Sequence, residues 1–115
     1  MGDLKEFVML FRFPDEHQIP GGQPSVLMDQ KWKKFIALIA SQVKLVNVSQ
    51  LSSNGIVIKS DLSIETKPLK ENGSIIIGNL TMKSKTIEDV ISIAKKCPIL
   101  LTGGTVEIRE TVLIK

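Results

Sequence analysis

The chain is poor in the residues that usually build reactive centres. It has one cysteine and one histidine, no tyrosine, and aromatic residues make up 4% of its 115 positions. A single cysteine, Cys97, excludes an internal disulfide and makes the cytosol the expected compartment. One His17 and one Cys97 cannot close a zinc site without several carboxylates, so neither a metal nor another cofactor is expected. The longest apolar runs, such as FIALIA from Phe35 to Ala40, are far too short to cross a bilayer, and no membrane partner is expected. The opening residues MGDLKEF lack a basic region followed by an apolar one, so no secretory leader is expected. No Walker loop, dinucleotide glycine fingerprint or Gly-x-Ser-x-Gly elbow occurs.

Charge excludes less. The net charge is +3, with Lys31, Lys33 and Lys34 close together and Lys67, Lys70, Lys83 and Lys85 further on. Nucleic-acid modules join a basic stripe to stacking aromatics or a recognisable motif. Neither is present, so these lysines read as solvated surface rather than as a nucleic-acid or anion-binding face.

What is present suits a small globular protein. Hydrophobic residues are 43% and charged residues 23%, enough to fill one core and cover it, so residues 1–115 read as a single domain. Lys5 to Phe13 (KEFVMLFRF) is apolar at both parities and predicts a strand buried on both faces. A Pro/Gly loop follows to Pro24. A helix is predicted from about Ser25 to Gln42, with Met28, Trp32, Phe35, Ile36 and Ile39 on its inner face. Leu45 to Leu51 reads as a strand, and Asn54-Gly55 as a hairpin turn into Ile56 to Ser60. Ser63 to Ser74 shows little pattern, and Ile75 to Lys83 is a strand broken at Gly78.

The stretch from Thr86 to Leu113 is the most explicit. Thr86 is a good N-cap with Asp89 three residues on, and Glu88 and Asp89 suit the positive end of a helix. Ile87, Val90, Ile91 and Ala94 follow helical spacing and predict the apolar stripe. Pro98 cannot continue the helix, and Gly103-Gly104 permits positive φ and a turn or bulge. From Thr105 the chain alternates. Val106, Ile108 and Val112 point one way, and Glu107, Arg109 and Thr111 the other.

The resulting order, β-α-β-β-β-α-β, predicts an α+β fold with an antiparallel-rich sheet and both helices on one face. The chain has no spare helix for the other face. A second copy of the sheet is the simplest cover, so a homodimer with sheets face to face is expected.

The chain also resembles the YCII-related (DGPF-domain) family over essentially its whole length. Cys97, Pro98, Gly103, Gly104, Glu107 and Arg109 fall on that family's C-terminal signature, with Glu110 where proline is usual. Thr66-Lys67-Pro68-Leu69 stands where the family reads Asp-Gly-Pro-Phe, with Glu71 at the following acidic position. Gly78 takes the second glycine of a Gly-Gly-aromatic element, and Asn79 replaces the aromatic. The resemblance implies a dimeric α+β barrel with ferredoxin-like halves.

Few residues are candidates for chemistry. His17 is a general base by type, but no acid is placed beside it, and an exposed loop histidine is the simpler reading. Cys97 follows a helix rather than opening one, so it reads as a small packing residue and not a nucleophile. Glu107 and Arg109 lie two apart on a strand and share a face. With Glu71 they can line a polar pocket, with Trp32 as a wall, or Glu107 and Arg109 can simply satisfy each other. The leading expectation is a homodimer that binds a small polar or anionic molecule. A small isomerase, lyase or hydrolase using His17, Glu71 or Glu107 is the alternative, and a transcription-associated interaction module the third. Loss of the DGPF acid at Thr66 and of the aromatic at Asn79 favours the binder.

Overall fold

The structure is a computed structural model, which describes residues 4–13, 30–52, 55–66 and 74–112. The elements run β1 (Lys5–Phe13), α1 (Gln30–Gln42), β2 (Lys44–Gln50), β3 (Val57–Ile58), β4 (Ile64–Glu65), β5 (Ile75–Ser84), α2 (Ile87–Ala94), a short 3-10 helix (Pro98–Thr102) and β6 (Thr105–Glu110). Four strands form one antiparallel sheet in the order β2-β5-β1-β6. This is an α+β arrangement, and its strand order is compatible with a ferredoxin-like fold. No helix among the described residues is long and apolar enough to cross a membrane.

Both helices pack on the same side of the sheet. Phe7, Met9 and Phe11 of β1 point there, as do Leu80 and Met82 of β5, and they share one buried cluster with Trp32, Phe35 and Ile39 of α1 and Val90, Ile93 and Ala94 of α2. Phe11 meets the edge of Trp32 with ring centroids 5.0 Å apart, and Trp32 meets Phe35 at 6.0 Å. Edge-to-face pairs of this kind add to the burial energy.

The first strand is not apolar on both faces in the way its sequence suggests. On the open face it carries Glu6, Val8, Leu10 and Arg12. The neighbouring positions across the strands are mostly polar: Asn79, Thr81 and Lys83 on β5, and Glu107 and Arg109 on β6. Val8, Leu10 and Ile76 are half-buried there and form a narrow apolar strip inside a polar frame.

The hydrophobic stripe of α2 is turned relative to the sequence reading. Val90, Ile93 and Ala94 are buried, whereas Ile87 and Ile91 are exposed. Isoleucines occupy so many positions of this helix that spacing alone fits two adjacent faces. Contact with β1 and β5 selects the one that continues into Cys97. The cap is as expected, with the Asp89 backbone N–H donating to Thr86 Oγ1 at 3.3 Å.

Two further readings change. The β5 strand is continuous through Gly78, where an extra residue creates a bulge opposite Phe11 and Arg12. The bulge keeps Ile75 and Ile77 on the core face that Leu80 and Met82 share, although their parity differs. A side chain at Gly78 would strike the Ser49 carbonyl oxygen, so the glycine lets β2 approach. Secondly, the strand expected at Ile56 to Ser60 does not pair back on β2. Val57 and Ile58 pair with Glu65 and Ile64, inside the stretch that showed little pattern. Asn54, at the expected turn, lies outside the described residues, as do Ser25 and Met28 of the expected first helix.

Candidate functional site

Leu10 of β1 faces Glu107 of β6, and Val8 faces Arg109. Residues two apart on a strand share a face, so Arg12 joins Leu10 and Val8 on the side away from the helices. Three charged side chains therefore converge where the central strand meets the edge strand. Arg109 Nε donates to Glu107 Oε2 at 2.6 Å, and Arg12 Nη2 donates to Glu107 Oε1 at 3.3 Å. Each carboxylate oxygen thus accepts from a different arginine.

The electrostatics follow from that bracket. The hydrogen bond from Arg109 is the main cause holding the Glu107 carboxyl below the usual carboxylate range, helped by the charge of Arg109 and by Arg12; partial burial opposes them. Glu107 is accordingly an anion at neutral pH, poor as a proton donor and weakened as a base. The Arg109 side chain is 72% exposed and that of Arg12 19% exposed. Arg12 is largely seated against the sheet, and Arg109 extends into open space.

Beside the cluster the face is amphipathic. Asn79 and Thr81 on β5 and Ser49 and Asn47 on β2 continue the rows that begin at Glu107 and Arg109. Hydroxyl and amide groups therefore lie across the apolar strip of Val8 and Leu10 from the guanidinium. The arrangement can hold a small anion with an uncharged polar end, one terminus on Arg109 and the other on the amides.

The sequence candidates separate. Glu107 and Arg109 do come together. Trp32 is buried on the helix side between Phe11 and Phe35, with the sheet between it and Arg109, so it is not a wall of this face. His17 and Glu71 lie outside the described residues. Arg12 was not among the sequence candidates. Its parity with Val8 and Leu10 was visible, but its partner sits 95 positions away, and only the β1–β6 register joins them. Among the described residues no group of three or more His, Cys, Asp or Glu side chains is placed to hold a metal ion.

Cys97 is buried, and burial pushes its thiol up to about 11. It is a neutral packing residue at physiological pH. On the helix side, Lys31, Lys34 and Lys96 rim an open groove of about 280 Å³ floored by Phe35, Leu38, Pro98 and Leu101.

No protein-family model matches the chain, and no curated protein matches it.

Proposed function

We propose that this chain is a divergent YCII-related protein that acts as a homodimeric binder of a small polar or anionic molecule, held where the open sheet face meets the subunit junction. The observation that carries the reading is the Glu107 carboxylate clamped by Arg12 and Arg109, with Arg109 still exposed beside Val8 and Leu10. A fork fixed at its Nε by a carboxylate is oriented in advance for a ligand carboxylate or carbonyl. The ionised state of Glu107 supports binding over acid–base catalysis, since a depressed carboxyl is a poor proton donor at neutral pH. The apolar strip of Val8, Leu10 and Ile76 inside a polar frame suits a sheet-to-sheet interface with a dimeric α+β barrel as its outcome. The strand order is compatible with the ferredoxin-like halves of such a barrel. A single unpaired cysteine suits a cytosolic setting.

Native mass spectrometry of freshly purified protein tests both parts. The expected species has twice the 12.7 kDa chain mass and carries an added small molecule. A thermal-shift screen of small carboxylates and carbonyl compounds then compares wild type with Arg109→Lys. Shifts that shrink in the variant, with the dimer intact, support the assignment. A monomer that no such compound stabilises removes it.

A further inference from the structure

Three lysines meet over an apolar floor on the helix side of the sheet. Lys31, Lys34, Phe35 and Leu38 are spaced at i, i+3, i+4 and i+7, so they share one face of α1. The facing wall comes from Lys96, just beyond α2, and from Pro98 and Leu101 of the 3-10 helix. Between the walls lies the open groove of about 280 Å³. Lys31 and Leu38 stand roughly 10 Å apart along the helix axis. Spacing alone reads these lysines as solvated surface. The fold instead gathers cations from two parts of the chain around one concave apolar surface.

One sign of charge and exposed apolar surface coincide in this groove. None of its lining residues is acidic. Among the described residues neither Lys34 nor Lys96 has an ion-pair partner. Leu101 lines the groove while 77% exposed, and Leu38 is half-buried. Both keep apolar area that a bound apolar group would remove from water. A bare anion such as phosphate would leave that floor uncovered, and a neutral oil would leave the cations unanswered. Nucleic acid fits no better, since Trp32 and Phe35 are buried and present no exposed ring for a base to stack on.

We infer that this groove is a second binding site, for a medium-chain carboxylate. The carboxylate accepts hydrogen bonds from the ammonium groups of Lys34 and Lys96 at the rim, within the positive field to which Lys31 adds. The hydrocarbon chain lies along Phe35, Leu38, Pro98 and Leu101. The volume is at the lower end of ligand sites, which limits the guest to a small molecule, and the concave shape suits one inserted chain better than a flat bilayer. A lysine ammonium is a point charge on a flexible stem, so this site selects charge and apolar length, whereas the Arg109 fork selects planar geometry. The two sites are independent, because the sheet lies between the groove and Arg109.

The experiment is an amide NMR titration of the full chain with octanoate, acetate and octyltrimethylammonium, the last having the same tail and the opposite charge. Octanoate should give saturable shifts at the amides of Lys34 to Leu38 and Ile99 to Leu101. It should bind at least about tenfold more tightly than acetate, which two buried methylenes suffice to supply. Lys34→Glu should weaken octanoate severalfold and Lys34→Arg should restore it. Lys34 and Lys96 are both exposed, so Lys96→Gln gives a second variant if the first fails to fold. Arg109→Lys should leave the groove shifts unchanged, which keeps this site apart from the open-face one. Equal binding of octanoate and acetate, or of octanoate and octyltrimethylammonium, overturns the inference. So does an absence of saturable shifts. Shifts confined to Arg12, Glu107 and Arg109 assign octanoate to the open face and remove the groove. A response to phosphatidylglycerol vesicles without one to monomeric octanoate assigns the lysines to a lipid surface and likewise overturns it.

Discussion

Arg109 Nε lies 2.6 Å from Glu107 Oε2, and that contact separates two kinds of chemistry that the sequence left open. A free carboxylate on a strand face is a candidate base or acid. A carboxylate whose two oxygens are both taken by arginines is a positioning group. Glu107 should therefore titrate below an ordinary glutamate in a carbon-detected carboxyl NMR titration. Arg109→Ala removes the largest cause, so the titration should move upward toward the usual range. The linkage has a definite sign. A depressed carboxyl contributes stability at pH values above its unfolded pKa and loses it as pH falls through the folded one. The partly exposed site keeps the effect on stability small. Identical titration in wild type and variant would show that Arg109 does not hold the carboxylate in solution.

Phe35 tests the inner face of α1. It is buried, and its ring packs edge-on with Trp32. Phe35→Ala should cost roughly 3–5 kcal/mol through lost burial and a residual cavity. Urea denaturation followed by Trp32 fluorescence measures it. Loss of less than about 1 kcal/mol would mean that α1 presents another face to the sheet.

The two glycines before β6 make a paired prediction, because they are there for different reasons. Gly103 sits at φ 84° and caps the 3-10 helix, its N–H reaching back to Ile99 O. Gly104 has no positive φ, but a side chain there would run into the Arg12 carbonyl oxygen and the Ile99 side chain. Gly103→Ala should cost about 1 kcal/mol of backbone strain, and Gly103→Asn less, since asparagine tolerates that region. Gly104→Ala should cost more, about 1–3 kcal/mol, and Asn should not rescue it, because the obstacle is a backbone oxygen on β1. Thermal midpoints of the variants decide the order.

How far the sequence revealed these features depends on their range. β1 is found at the bounds that its apolar run predicts, and the Thr86 cap is found on the predicted acceptor, because both are set by neighbours within a few residues. Glu107 and Arg109 share a face for the same local reason. Arg12 could not be placed with them from spacing, since its partner comes from a register between the first and last strands. The buried face of α2 was ambiguous because Ile87, Val90, Ile91 and Ile93 satisfy two adjacent helical stripes, and tertiary contact breaks the tie. Bulges hide in parity: Ile77 and Leu80 point the same way only because Ile77 is an extra residue between the paired positions Ile76 and Gly78. The strand read at Ile56 to Ser60 is present as β3, but its partner β4 was not foreseen, since it is two residues long, below the length at which alternation carries a signal.

Cys97 gives a pH test that needs no ligand. Its thiol is buried in the same core as Val90 and Ile93, and desolvation pushes it from an ordinary 9.0 up to about 11. The folded protein therefore keeps the proton to higher pH than the unfolded chain does. Below the ordinary thiol value both states are protonated and the contribution is complete. As pH rises from about 9 toward 11, the unfolded state releases its proton first, and stability falls by up to about 2 kcal/mol. Lysines titrate in the same window, so the informative quantity is the difference between wild type and Cys97→Ala. The two stability curves should converge as pH rises, because the variant loses some packing at every pH but has no thiol to ionise. Native protein should also resist iodoacetamide at pH 8, while denaturant-unfolded protein is alkylated at once. Parallel stability curves together with rapid alkylation of the native state would mean that Cys97 is open to solvent, and the packing between α2 and the strand that follows it would need to be redrawn.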